Sequence, residues 1–360
     1  MKGSGRILVC VWLVACKGSG PTEVAEHQSV IPSPPLAGSP SPGARVNPRL
    51  LRRFKQVASQ RPAPLSTPEM VSLGRMLWFD GRLSRSGDVS CNSCHTLATY
   101  GVDGKPTSTG VGDQVGRRNS PTVYNSAEHF VMFWDGRAPD AEAQATGPIQ
   151  NPVEMAMSEA EVVRTLKDIP GYVGAFVRAF PAEADPITMA NVGRAIGAFE
   201  RGLVTRSRWD DYLEGKESAL SDAEIEGLRV FLNVGCMGCH TGPQVGASMY
   251  QVAGFVEPWP NQADLGRFEL TKNPSDRMVF KVPSLKNIAK TGPYFHDGSG
   301  KTLPEAVKTM GRHQLGVELT DQEVSSIVTF LGALTGELPA DYIRQPVLPT
   351  GVKADASGAR

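Results

Sequence analysis

Cysteine is scarce in this chain, and almost none is left over. Of six in 360 residues, Cys10 and Cys16 stand near the N-terminus and the other four form two pairs, Cys91/Cys94 and Cys236/Cys239. No cysteine remains for a structural disulfide in the body. Charge of one sign is missing too: 37 Lys and Arg balance 37 Asp and Glu. A neutral chain of this kind gives no bulk electrostatic reason to bind nucleic acid. Long apolar runs are absent, since the stretch Ile7–Ala15 is too short to span a bilayer as a mature helix. Strand-like alternation is scarce, so a sheet-built core is not expected.

What is present sits on the cysteine pairs. Each is followed by histidine, giving Cys91-Asn92-Ser93-Cys94-His95 and Cys236-Met237-Gly238-Cys239-His240. CxxCH is the attachment signature of c-type haem. The two thiols form thioethers with the vinyl groups and the histidine reaches the iron as proximal ligand. Zinc would need the two distant pairs to converge on one ion. A thioredoxin-like dithiol has no use for the following histidine. Two covalent haems are therefore expected.

The N-terminus reads as a targeting segment over residues 1–15, with Lys2 and Arg6 before an apolar stretch. Its end, Leu13-Val14-Ala15-Cys16, resembles a bacterial lipobox, which implies cleavage before Cys16 and a lipid anchor on that thiol; an ordinary signal peptide cut nearby is the other reading. Both send the chain out of the cytoplasm. Residues 16–62, with prolines at 32, 34, 35, 40, 42 and 48 among Gly and Ser, read as a tether. The body reads as helical. Thr67-Pro68 opens a helix carrying Met70, Leu73, Gly74 and Leu77 at helical spacing. Capping boxes stand at Ser158/Glu161, Ser221/Glu224 and Thr320/Glu323. The fold class expected is mainly α: two cytochrome c-like helical domains, each with a covalent haem. Their ranges are 63–210 and 211–338, divided in the polar stretch 206–220, with an extended tail over 339–360.

Residues from about Leu73 to Leu338 resemble the bacterial di-haem cytochrome c peroxidases. The resemblance is carried by Leu73-Gly74-Arg75, Phe79-Asp80-Gly81-Arg82-Leu83-Ser84, Arg118-Asn119-Ser120-Pro121-Thr122-Val123, Phe133-Trp134-Asp135-Gly136-Arg137 and Asn151-Pro152-Val153-Glu154-Met155. It continues through Gly266-Arg267-Phe268, Val282-Pro283-Ser284-Leu285-Lys286-Asn287-Ile288, Pro293-Tyr294-Phe295-His296 and Gln314-Leu315-Gly316. It implies a periplasmic enzyme, homodimeric as is usual in the family, that reduces hydrogen peroxide with electrons from a small cytochrome c or a cupredoxin. In that reading the first haem, on His95, is the peroxidatic one, with Glu154 as distal acid–base and Gln144 as its hydrogen-bonding partner. The second, on His240, takes Met310 as axial ligand and relays electrons, with Trp134 between the haems. Asn119, Thr291 and Pro293 match a calcium site of amide and carbonyl oxygens. His296 falls where a haem propionate would be met. His129 is expected to pack or face solvent, His313 to be exposed, and His27 lies in the tether.

One departure carries a consequence. The loop Gly101–Gly112 is where the family often holds a distal histidine that caps the first iron at rest, and here Val111 takes that place. Valine cannot ligate iron, so the first haem is expected to be open when oxidised. The sequence is also compatible with two rival readings. One is a related di-haem enzyme that oxidises a protein tryptophan or another partner side chain, against which Met310 argues. The other is a plain two-haem electron carrier.

Overall fold

The computed structural model describes residues 46–57 and 66–350. The leader at 1–15, Cys16, His27, most of the expected tether and residues 351–360 lie outside the described residues. The helices, in chain order, are α1 (Pro48–Leu51), α2 (Pro68–Phe79), α3 (Cys91–Cys94), α4 (Ala141–Gln150), α5 (Glu159–Lys167), α6 (Pro170–Ala179), α7 (Met189–Glu200), α8 (Arg208–Leu213), α9 (Asp222–Val234), α10 (Phe268–Thr271), α11 (Leu303–Met310) and α12 (Asp321–Gly332). Among the described residues the one sheet is a short antiparallel ribbon, β1 (Tyr250–Val252) against β2 (Val279–Lys281), with Gln251 opposite Phe280.

Local chemistry explains most of the helix starts. Thr67 accepts from Met70 N and Pro68 fills the first helical position of α2. Ser158, Ser221 and Thr320 close reciprocal capping boxes with Glu161, Glu224 and Glu323. Each cap satisfies backbone donors that the first turn leaves orphaned, worth about 1 kcal/mol apiece.

Among the described residues two large apolar cores form, beside smaller clusters. In the first, α7 lies against α2 and α4, with Val192, Ala195, Ile196 and Phe199 fully or almost fully buried. Gly74 makes that approach possible, because a Cβ there would stand 1.9 Å from the Ala195 carbonyl oxygen. In the second, α9 packs on α12 through Leu228, Phe231, Ile327 and Phe330.

The outermost described segments cross over. Residues 46–57, read from sequence as part of a tether, pack on the second core: Val46, Phe54 and Val57 are buried, and Phe54 meets Trp209 edge-on at 5.2 Å. Their proline and polar content hid three apolar anchors. The tail behaves likewise, since Leu338, Tyr342 and Ile343 pack against the first core. The polar stretch 206–220 is also anchored rather than loose. It contains α8, with Trp209 wholly buried and Asp210 ion-paired to Lys286 at 2.5 Å, both side chains fully enclosed.

Candidate active site

Both CxxCH motifs follow the same local plan. Cys91–Cys94 forms the single turn α3, after which Tyr100 and Gly101 turn left-handed and present a carbonyl. His95 Nδ1 lies 3.3 Å from Gly101 O. In the second motif, Gly235 ends α9 in the left-handed region and Cys236–Gly238 makes a 3₁₀ turn. His240 Nδ1 lies 3.1 Å from Val245 O. Gly246, at φ +137°, is required here: a Cβ would stand 2.1 Å from Pro283 O. Burial lowers both imidazoles, His240 to about 4, and so favours the neutral form of each. An imidazole that spends Nδ1–H on a carbonyl keeps Nε2 as a lone-pair donor.

These residues fit a pair of c-type haems. The four thiols are free of disulfides, and burial pushes Cys91 and Cys236 up to about 12, which keeps them protonated. His296, 4% exposed, has an Nε2 with no hydrogen-bond partner among the described residues, as a donor reserved for a propionate would. Its ring stacks on Phe280 at 4.2 Å and stands 6.4 Å from Trp134.

The Asn151–Met155 turn follows α4 and puts Glu154 in a cleft lined by Phe133, Arg137, Ala143, Gly147 and Asn151. Burial raises the Glu154 carboxyl above its ordinary range, while a hydrogen bond from Asn151 and the charge of Arg137 oppose the rise. The amide that holds Glu154 is Asn151, whose Nδ2 donates to Oε1 at 2.5 Å. Gln144, expected in that role, is half-buried on α4, and its side chain makes no hydrogen bond among the described residues. The signal for Asn151 was its place three residues ahead of Glu154 in a turn. Val111 is buried, and its N–H donates to Glu154 O at 2.8 Å, so this loop position lies against the carboxylate's own backbone.

Trp134 donates Nε1–H to Asn119 O at 2.9 Å. It packs, with Met310 and Phe295, against a cluster of Trp259, Met278 and Phe280. Trp259 was not singled out from sequence, because nothing local marks a lone aromatic in a proline-rich loop. Met310 ends α11 and is followed by a π-helical turn, Gly311–Leu315, of the kind that concentrates at functional sites. Gln314 pins that turn, accepting from Gly254 N at 2.6 Å and donating to Val252 O at 3.0 Å. His313, expected to be exposed, is half-buried with its ring 5.6 Å from Trp259. His129 is held by Lys281, whose Nζ lies 3.0 Å from its Nδ1.

The two halves are joined beside Trp134. Arg118 bonds Asp135 at 2.6 Å and Asp264 at 2.6 and 2.8 Å. Asn119 and Thr291 are buried, and Asn119 N donates to His296 O at 2.8 Å, which brings Asn119 against the 291–296 segment. Pro293 lines an open cleft with Pro106, Tyr294 and Asp297. Among the described residues no group of three His, Cys, Asp or Glu could hold a metal, so a cation at Asn119 would rest on amide and carbonyl oxygens.

A family profile described as "Di-haem cytochrome c peroxidase" matches residues 68–218. The chain is 47% identical to a cytochrome c551 peroxidase of Nitrosomonas europaea, over 80% of this chain and 87% of that one. It is 44% identical to a cytochrome c551 peroxidase of Pseudomonas aeruginosa, over 83% and 87%. Among solved structures, a MauG-like protein associated with microbial copper homeostasis superimposes with a TM-score of 0.69 at 30% identity, covering 80% of this chain and 96% of that one.

Proposed function

Because the chain belongs to the di-haem cytochrome c peroxidase family, we propose that it reduces hydrogen peroxide at the haem of Cys91, Cys94 and His95, with electrons entering at the haem of Cys236, Cys239, His240 and Met310. The haems supply an iron that binds and cleaves peroxide and a second that stores an electron. The protein supplies the rest. The Glu154 carboxylate takes a proton from one peroxide oxygen and returns it to the other, the oxygen that leaves as water. Asn151 fixes that carboxyl's position, and Arg137 places a cation in the same cleft. His95, oriented by Gly101 O, stays a neutral ligand. Trp134 and His296, ring to ring between the Met310 cluster and the Asn119 loop, provide the aromatic path between the haems.

The observation that carries this reading is Glu154: a carboxyl raised by burial, hydrogen-bonded by one amide, opening on a cleft. With Val111 beside it in place of a histidine, the oxidised enzyme stands ready for peroxide without prior reduction. The donor is a small cytochrome c or a cupredoxin, and the compartment is the periplasm, with a lipid on Cys16 and a second copy of the chain as further expectations. Among the described residues no helix is long and apolar enough to cross a membrane. Calcium at Asn119, Thr291 and Pro293 joins the halves, and a chelator then lowers turnover.

The test is direct. Protein matured in a host that attaches c-type haem is assayed by pyridine haemochrome and by peroxide-driven oxidation of a reduced small cytochrome. Two haems per chain and sustained oxidation are expected. One haem or fewer, or no oxidation, overturns the reading.

A further inference from the structure

The proximal side of the first haem site carries a file of aromatic rings that peroxide reduction by a protein donor does not use. Trp78, on α2 and 2% exposed, holds its ring 6.3 Å from the ring of His95. Phe199, on α7, lies 5.8 Å from Trp78 and stacks on Tyr342 at 5.1 Å with an interplanar angle of 12°. Tyr342 sits in the segment that crosses from the second half, and it is only partly buried. Its hydroxyl donates to Phe199 O at 2.7 Å. The file therefore runs from the proximal ligand to the protein surface.

Packing explains rings in a core, but not which rings these are. The Trp78 Nε1 is buried without a hydrogen-bond partner among the described residues. An indole brings a polar N–H into this core that phenylalanine, filling similar space, would not. Indole and phenol are also the aromatic side chains that give up one electron most readily. A stacked phenyl between them keeps each tunnelling step short without being oxidised itself.

We propose that Trp78, Phe199 and Tyr342 form a relay that drains oxidising equivalents from the first haem when no protein donor is at hand, and that a small phenolic reductant quenches them at Tyr342. The inference rests on the first haem being the site oxidised by peroxide. Trp78 gives one electron to the oxidised haem. Tyr342 then gives one electron through Phe199 to the indole radical cation and releases its phenolic proton to water, leaving a neutral tyrosyl radical. The external phenol transfers one hydrogen atom to Tyr342, restoring it and becoming a phenoxyl radical. Two turns supply the two electrons that convert one peroxide to two waters, and the two released protons are consumed there. Burial pushes the Tyr342 phenol up to about 12, so the group starts neutral and its oxidation has to release that proton.

The experiment mixes the oxidised di-haem protein with peroxide, without reductant, and freezes it for electron paramagnetic resonance. Peptide mass mapping locates oxidised residues in the same samples. Wild type is expected to show a tyrosyl radical and oxidation at Tyr342. Tyr342→Phe, which keeps the stacked ring, loses the tyrosyl signal. Trp78→Phe loses it as well. An undiminished signal in Tyr342→Phe overturns the relay. So does a wild type that forms no protein radical while turning over peroxide with reduced cytochrome. A wild type with no cytochrome-driven turnover sinks the peroxidase reading instead. If Trp78→Phe fails to take up haem, Tyr342→Phe, at the far end of the file, decides alone.

Discussion

Asn151 donates its side-chain amide to the Glu154 carboxyl at 2.5 Å, and that bond opposes the effect of burying the same carboxyl. Burial raises Glu154 and the amide lowers it, so the two together set the pH at which the group ionises. A carboxylate that must accept a peroxide proton works only when ionised. Peroxide kcat/KM should therefore fall on the acid side through an inflection above the ordinary carboxylate value of 4.5. Glu154→Gln should remove that inflection and lower turnover by about 100-fold or more. Asn151→Ala removes the lowering influence, so the inflection should move to higher pH. A shift to lower pH in Asn151→Ala would contradict the assignment, as would near-normal turnover in Glu154→Gln.

Val111 leads to a spectroscopic prediction. Its side chain is buried and its N–H is bonded to the Glu154 main-chain carbonyl, so the fold fixes position 111 against the Glu154 backbone. With valine there, the oxidised protein should show a high-spin ferric signal and react with peroxide at once. Val111→His should convert the oxidised spectrum to all low-spin, and peroxide should then react only after one electron is added. An all-low-spin wild type would remove the premise.

Much of this architecture is legible in the sequence, because local rules write it. A threonine or serine three residues before glutamate has few ways to be other than a helix start, and Ser158, Ser221 and Thr320 all are. CxxCH is equally local. What sequence reading missed is non-local. Val46 and Phe54 look like ornaments of a proline-rich tether until the core around Trp209, far along the chain, gives them a surface to cover. Tyr342 sits in an apparently featureless tail, and only the fold lays it on Phe199. Gln144 and Asn151 both precede Glu154, and only the turn after α4 shows that it is the nearer amide, three residues ahead, that reaches the carboxyl.

Met310 and Trp134 share one apolar cluster, which gives the proposed ligand of the second haem and the proposed bridging indole common surroundings. Thioether ligation favours ferrous iron and raises the potential. Met310→Ala should abolish the weak sulfur-to-iron charge-transfer band at the red end of the spectrum and lower the potential of that haem. Trp134→Phe should keep both haems and the band, while slowing electron transfer between haems in a half-reduced sample mixed with peroxide. Retention of the band in Met310→Ala would mean another ligand holds the iron.

Glu200 makes stability depend on pH in the opposite direction from an ordinary paired carboxylate. It closes α7, is 3% exposed, and its Oε2 has no hydrogen-bond partner among the described residues. Burial, then the neighbouring Glu142 charge, raise it from 4.5 to about 8, with Arg201 opposing. A helix C-terminus also disfavours a negative charge. Between those two values the folded chain binds a proton that the unfolded chain has released, so the free energy of unfolding falls as pH rises. Glu200→Gln keeps the shape and removes the titration. Its loss of stability from about pH 5 to pH 8 should be smaller than that of wild type by roughly 3 kcal/mol. Denaturant unfolding of the haem-loaded proteins across that range measures the difference. The comparison of slopes is what matters, because the new amide's own hydrogen-bonding cost is the same at every pH. Identical slopes in the two proteins would mean that Glu200 is ionised in the folded state, and that a cation or donor near the end of α7 compensates it.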